Sequence, residues 1–126
     1  MGAGTGRSVL LECLGTELEC AAAAAEFVRV GAAGLQALRT VESLLDSSVA
    51  SIRGAAAVAA WAISRQSPRY GQRLSEAALN ADVPSKIRVL ATRILAGVGA
   101  PYTGALDVLA KDRDSYVSKA VAEPLR

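Results

Sequence analysis

Two cysteines, a run of spaced arginines and a few carboxylates are the side chains with which this chain could do chemistry. Cys13 and Cys20 lie seven residues apart, and the sequence contains no histidine. That is not a zinc-ligand spacing, and no third Cys or any His exists to complete a tetrahedral site. Free cysteines are among the most buried residue types, so reduced, buried thiols are expected here, with a disulfide as the alternative. Without histidine the commonest general base is missing. Neither a Gly-x-Ser-x-Gly elbow nor a His-Glu-x-x-His segment occurs. Glu17, Glu19 and Glu26 are candidates for a carboxylate pair, but Glu17 and Glu19 fall where the first turn of a helix favours acids electrostatically. The glycines at 2, 4 and 6 lack the preceding strand and following Lys-Ser/Thr of a phosphate loop. The expectation is a chain that is not an enzyme, with no catalytic residue, cofactor or metal site.

The arginines point to binding. Arg65, Arg69 and Arg73 recur at fourfold spacing across the end of one expected helix and the start of the next. Arg39 and Lys111 lie on the corresponding later helices of neighbouring helix pairs. Together Arg39, Arg65, Arg69, Arg73 and Lys111 form a candidate partner-binding strip. Such a strip attracts an acidic protein segment or a phosphate backbone. Tyr70, Tyr102 and Tyr116 are too few for a base-stacking platform, which argues against sequence-specific reading of single strands.

The elements that must position these groups are helices. The chain has 126 residues, 52% of them apolar and 4% aromatic. That length suits one domain with a core large enough to need neither disulfide nor metal. Alanine is abundant; it is the best helix former and lets helices approach closely. The net charge of +2 is small. Its distribution is uneven: residues 1–50 carry three basic and six acidic groups, whereas residues 51–93 carry seven basic and two acidic. The longest apolar runs, such as Gly54–Ile63, fall short of the ~20 residues of a membrane span, and no signal-peptide pattern is visible at the start. A cytoplasmic protein with no membrane association is expected.

Residues 1–7 read as a flexible tail and 8–126 as a single domain. Ser8 caps a short helix over 9–14. Thr16 caps the next, 17–30, which ends at Gly31. Helices then follow over 35–45, 49–64, 68–81, 84–98, 101–111 and 116–125. Gly34, Asp46–Ser48, Ser67-Pro68, Asp82–Pro84, Gly99–Pro101 and Asp112–Ser115 punctuate them. Leu35, Leu38, Val41 and Leu45 form one apolar stripe, broken by Glu42. No strand alternation or hairpin signal appears.

The helices repeat in pairs. Ile52-Arg53 aligns with Ile87-Arg88 at a spacing of 35, with Val117 a further 30 along and Leu18 34 before. In this frame Ala22, Ala56, Ala91 and Val121 coincide, and Phe27, Trp61 and Ala96 form one expected core layer. Leu44, Leu79 and Leu109 register on the second helices. Periods of 30–36 with two helices each mark a helical solenoid, in which each repeat touches mainly its neighbours. An Asp turn followed by apolar-Arg-x-x-Ala, as in Asp46 with Arg53 and Asp82 with Arg88, resembles the HEAT-repeat family in its short bacterial form. Asp112 with Lys119 is a shifted copy, and Glu19 stands where the first copy would have Arg. The resemblance spans roughly 16–126. It implies an all-α, right-handed α-α superhelix of about three helix pairs with terminal half repeats, and a ladder of acids and bases between repeats. Tetratricopeptide and ankyrin signatures are absent.

Fold does not give function. The leading expectation is a protein–protein interaction module, an adaptor or inhibitor-like scaffold presenting a concave helical surface. The alternative is nucleic-acid-backbone binding through the basic strip. Val9, Leu10 and Leu14 at one end, and Val117 and Val121 at the other, are expected to be partly uncovered, which makes the ends candidates for a homodimer.

Overall fold

The computed structural model describes residues 9–30, 35–64 and 67–125, and every regular element among them is helical. The expected tail, the Ser8 cap, the Gly31–Gly34 turn and Arg65 lie outside the described residues. Helix α1 covers 9–14. It is followed by α2 (Cys20–Val30), α3 (Leu35–Leu44) and α4 (Ala50–Ser64). A 3-10 turn, Pro68–Tyr70, then leads into α5 (Gly71–Leu79), α6 (Ser85–Val98), α7 (Thr103–Leu109) and α8 (Ser115–Ala120). No helix among the described residues is long and apolar enough to cross a membrane.

Several of the punctuating residues shape the helix ends, although Ser67 makes no side-chain cap bond. Ser47 Oγ accepts the Val49 N–H at 3.1 Å just before α4. Pro84 O accepts from Ile87 and Arg88 as α6 starts. At the end of α6, Gly99 has φ +74°, a conformation side chains resist, and its N–H closes on Leu95 O at 2.8 Å. Asp114 caps α8 by accepting from the Tyr116 and Val117 N–H groups.

Several boundaries differ from expectation: the expected helix over 68–81 is a 3-10 turn followed by α5, the one over 101–111 is the shorter α7, and α2 and α8 depart further. Helix α2 starts at Cys20, because residues 17–19 form turns. Thr16 does not cap it: its hydroxyl donates back to Glu12 O at 3.2 Å. Leu18 is consequently 94% exposed and does not share the buried role of Ile52, Ile87 and Val117. The first copy buries Cys20, Ala23, Ala24 and Phe27 in its place, leaving Ala22 on the surface. At the other end α8 stops at Ala120 and does not run to Leu125. Pro124 disfavours helix at the residue before it, and 121–125 instead straps across α6. Leu125 N–H donates to Arg93 O at 2.9 Å, and Arg93 Nε donates to Glu123 O at 2.8 Å. A Cβ on Gly97 would stand 2.4 Å from Leu125 O, so glycine is what lets the strap lie this close.

Helices α2, α4, α6 and α8 pack in succession, while α3 and α5 pack on α4, and α5 and α7 on α6. Helix α4 is the centre: α2, α3, α5 and α6 all touch it. Ser51, Ile52 and every residue from Gly54 to Ala60 are buried. A helix of larger side chains could not be enclosed so closely; alanine keeps the neighbouring axes near. Helix α2 also reaches α6 directly, past its immediate neighbour. Around this centre Phe27, Val41, Leu74, Ile87, Leu95 and Leu109 fill the core, each apolar side chain contributing about 1.5–3 kcal/mol on burial.

The ends are covered in part: Leu14 and Val117 are fully buried, against expectation, while Val9 is half exposed and Leu10 and Val121 are partly buried, as expected. Trp61 departs the other way. It is only partly buried, and Gly97, Ala100 and Pro101 wall the same hollow beside the indole. With Tyr102 it lines a hollow of about 680 Å³.

Candidate interaction surface

Of the described members of the arginine strip, Arg69 and Arg73 pair with acids of α3 and the turn after it. Arg69, in the 3-10 turn, pairs with Glu42 of α3 at 3.4 Å and lies 5.6 Å from the centroid of the Tyr70 ring. Arg73 on α5 donates to Leu45 O at 2.9 Å and to Asp46 Oδ1 at 2.8 Å. Arg39 is exposed on α3. Lys111 is exposed just past α7, around a hollow shared with Asp107, Asp112 and Arg113.

Glu42 had the look of a defect in an apolar stripe, yet it organises this region. It accepts from the buried Tyr70 hydroxyl at 2.8 Å while holding Arg69. Burial and the Glu42 bond both push the Tyr70 phenol above its ordinary pKa. Sequence spacing gave no sign of this link, because the two residues are 28 apart in the chain.

Between α4 and α5 lies a polar recess of about 190 Å³, with Arg53, Arg73, Glu76 and Asn80 in its walls. Arg53 Nη1 donates to Ser47 O at 2.7 Å. Arg53 and Arg88 are equivalent in the repeat, but their settings differ. Arg88 is 6% exposed, donates through Nε to Ala78 O at 2.9 Å, and pairs with Asp112 of the following turn. The guanidinium holds the Asp112 carboxyl below its usual range, aided by the Asp114 N–H. Ser85 donates to Asp114 at 2.6 Å beside it and likewise lowers that carboxyl. One acid–base bridge between successive turns is present, Arg88–Asp112. Asp46 pairs with Arg73 of α5, not with Arg53.

The opposite side is different in kind. Helices α2, α6 and α8 enclose a hollow of about 780 Å³. Ala22, Ala25, Val89, Leu90 and Tyr116 supply apolar lining, and Lys86, Lys119 and Glu123 stand at its edge. Tyr116 is 73% exposed. On the other flank of α2 a second hollow of about 570 Å³ is bounded by Leu10, Cys13, Glu19 and Glu26. Ala22 and Ala25 border both hollows, so this stretch of α2 is a ridge between them. Glu26 forms a bidentate pair with Arg29 one turn on, which lowers the Glu26 carboxyl.

Both cysteines are free thiols. Cys20 is buried, as expected, and burial pushes its pKa up. Cys13 is only half-buried; a hydrogen bond with Glu19 is the first cause of its raised pKa. Among the described residues no group of His, Cys, Asp and Glu side chains could hold a metal ion.

No protein-family model, curated protein or solved structure matches this chain.

Proposed function

We propose that this chain is a non-enzymatic protein-interaction module, a HEAT-like α-α superhelix working as an adaptor or inhibitor-like scaffold. The observation that carries this reading is the mixed sign of the α3–α5–α7 surface. Arg69 and Arg73 alternate with Glu42 and Asp46, and Arg53 shares its recess with Glu76. A phosphate backbone favours an unbroken cationic track, whose bound counterions it releases. Interleaved charges suit a protein surface carrying the complementary pattern, which sets register and rejects wrong partners. The succession α2, α4, α6, α8 with α3, α5 and α7 beside it supports the superhelix, as does the Arg88–Asp112 bridge between turns.

The test is affinity capture from nuclease-treated extract of the source cells, comparing the wild type with an Arg53→Glu/Arg73→Glu variant. The expected result is a protein retained by the wild type and lost by the variant. Retention of nucleic acid before nuclease treatment, falling steeply with salt and with no protein left afterwards, overturns the reading in favour of backbone binding.

A further inference from the structure

The α2 flank is separate from the mixed-charge surface and carries its own pattern. A ridge, Ala22 and Ala25, separates a hollow edged by Lys86, Lys119 and Glu123 from one edged by Glu19, Glu26 and Arg29, the last two paired with each other. The described residues 9–30 contain four acids and one base, Arg29. A flank with an excess of acid, in which Glu19 is the carboxylate with no ion pair among the described residues, and a flank with an excess of base therefore sit on either side of one small-residue ridge.

From this geometry we infer that the chain pairs with a second copy of itself, the Ala22–Ala25 ridge of each protomer seated in the α6–α8 hollow of the other. The arrangement is isologous: one two-fold axis puts both ridges into both hollows at once. Each ridge brings Glu19 toward the Lys86 and Lys119 of its partner, so opposite charges meet twice. Exposed alanines on the ridge let the two α2 helices lie close, and Val89, Leu90 and Tyr116 receive them. A standard interface takes roughly 800 Å² from each partner, a small part of the 6983 Å² surface of this chain. Uncovered apolar side chains rimmed by charge are the usual mark of such a surface.

Sedimentation of the whole chain over a wide concentration range tests the pairing. The wild type is expected to dimerise, more weakly as salt rises. Lys86→Glu/Lys119→Glu and Glu19→Lys are each expected to weaken the dimer about tenfold or more by facing like charges. An equimolar mixture of the two variants restores both complementary halves and is expected to recover a heterodimer. Ala25→Arg, at an exposed position in the single chain, blocks the ridge while leaving helical circular dichroism unchanged. A wild type that stays monomeric, or a mixture that fails to recover, overturns the inference. Monomers that still capture a protein partner overturn the self-pairing alone. Dimers that capture none overturn the proposed function alone.

Discussion

Arg53 and Arg88 occupy the same place in successive helix pairs, yet one edges an open recess and the other is locked. Around Arg88 the chain closes on itself: Asp112 takes the guanidinium, Ser85 holds Asp114, and 121–125 straps α6 through Arg93. Around Arg53 the corresponding turn sends no acid. Asp82 is exposed, its N–H bonded to Asn80 Oδ1, and Arg53 falls back on Ser47 O. A repeat motif therefore specifies a charge at a position but not its partner. The partner depends on how the next turn is wound. One junction has become structural, and the other keeps polar groups accessible.

The largest expected effect that separates the two junctions is the loss of the buried arginine. Arg88→Ala leaves Asp112 facing a desolvated gap and is expected to cost about 3 kcal/mol in denaturant unfolding. Arg53→Ala is expected to cost under about 1 kcal/mol. Double-mutant cycles sharpen the contrast: Arg88 with Asp112 should show strong coupling, and Arg53 with Asp82 none. Equal couplings would erase the distinction. Next come the glycines. Gly97→Ala must displace the Leu125 backbone and is expected to cost about 2 kcal/mol. Gly54→Ala meets Ile87, Ala77 and Val83 side chains no closer than 3.1 Å. There a helix-propensity gain of up to about 1 kcal/mol nearly offsets the crowding, and thermal melts of the two variants should differ accordingly.

The smallest effect is on acid stability. The folded-state pKa of Asp112 lies below its unfolded value of about 3.9. Its contribution is therefore fully present above that pH and is lost as pH falls through the folded value. Asp112→Asn should flatten the stability profile below about pH 4. Identical profiles for wild type and Asp112→Asn would show that the Arg88 junction holds no charge-dependent stability.

Much of the fold was legible from its punctuation. Pro84, Gly99 and the Asp46–Ser48 turn placed α4 and α6 to within a residue, because these residues act through local backbone geometry. The frame of Ile52, Ile87 and Val117 held as well, since a buried stripe needs only helical periodicity. Leu18 failed the frame because extending it to the first copy assumed a helix start at Glu17, and the turns over 17–19 shifted the buried face to Cys20 and Ala24. Trp61 misled because burial depends on what lies beside the indole, and there Gly97 and Ala100 wall a hollow. The site was less legible than the fold. The arginines could be found by spacing, but their acids, Glu42 and Asp46, arrive from more than twenty residues away. The ridge on α2 left no mark beyond a run of alanines.

The enclosure of α4 bears on how the molecule comes apart. A one-dimensional array loses its terminal units singly, since each unit leans on one neighbour. Here α2 covers α4 and reaches α6, so peeling α2 away uncovers two further helices at once. Loss of one layer removes the reason for the next, and melting should proceed as a single all-or-none event whatever probe records it.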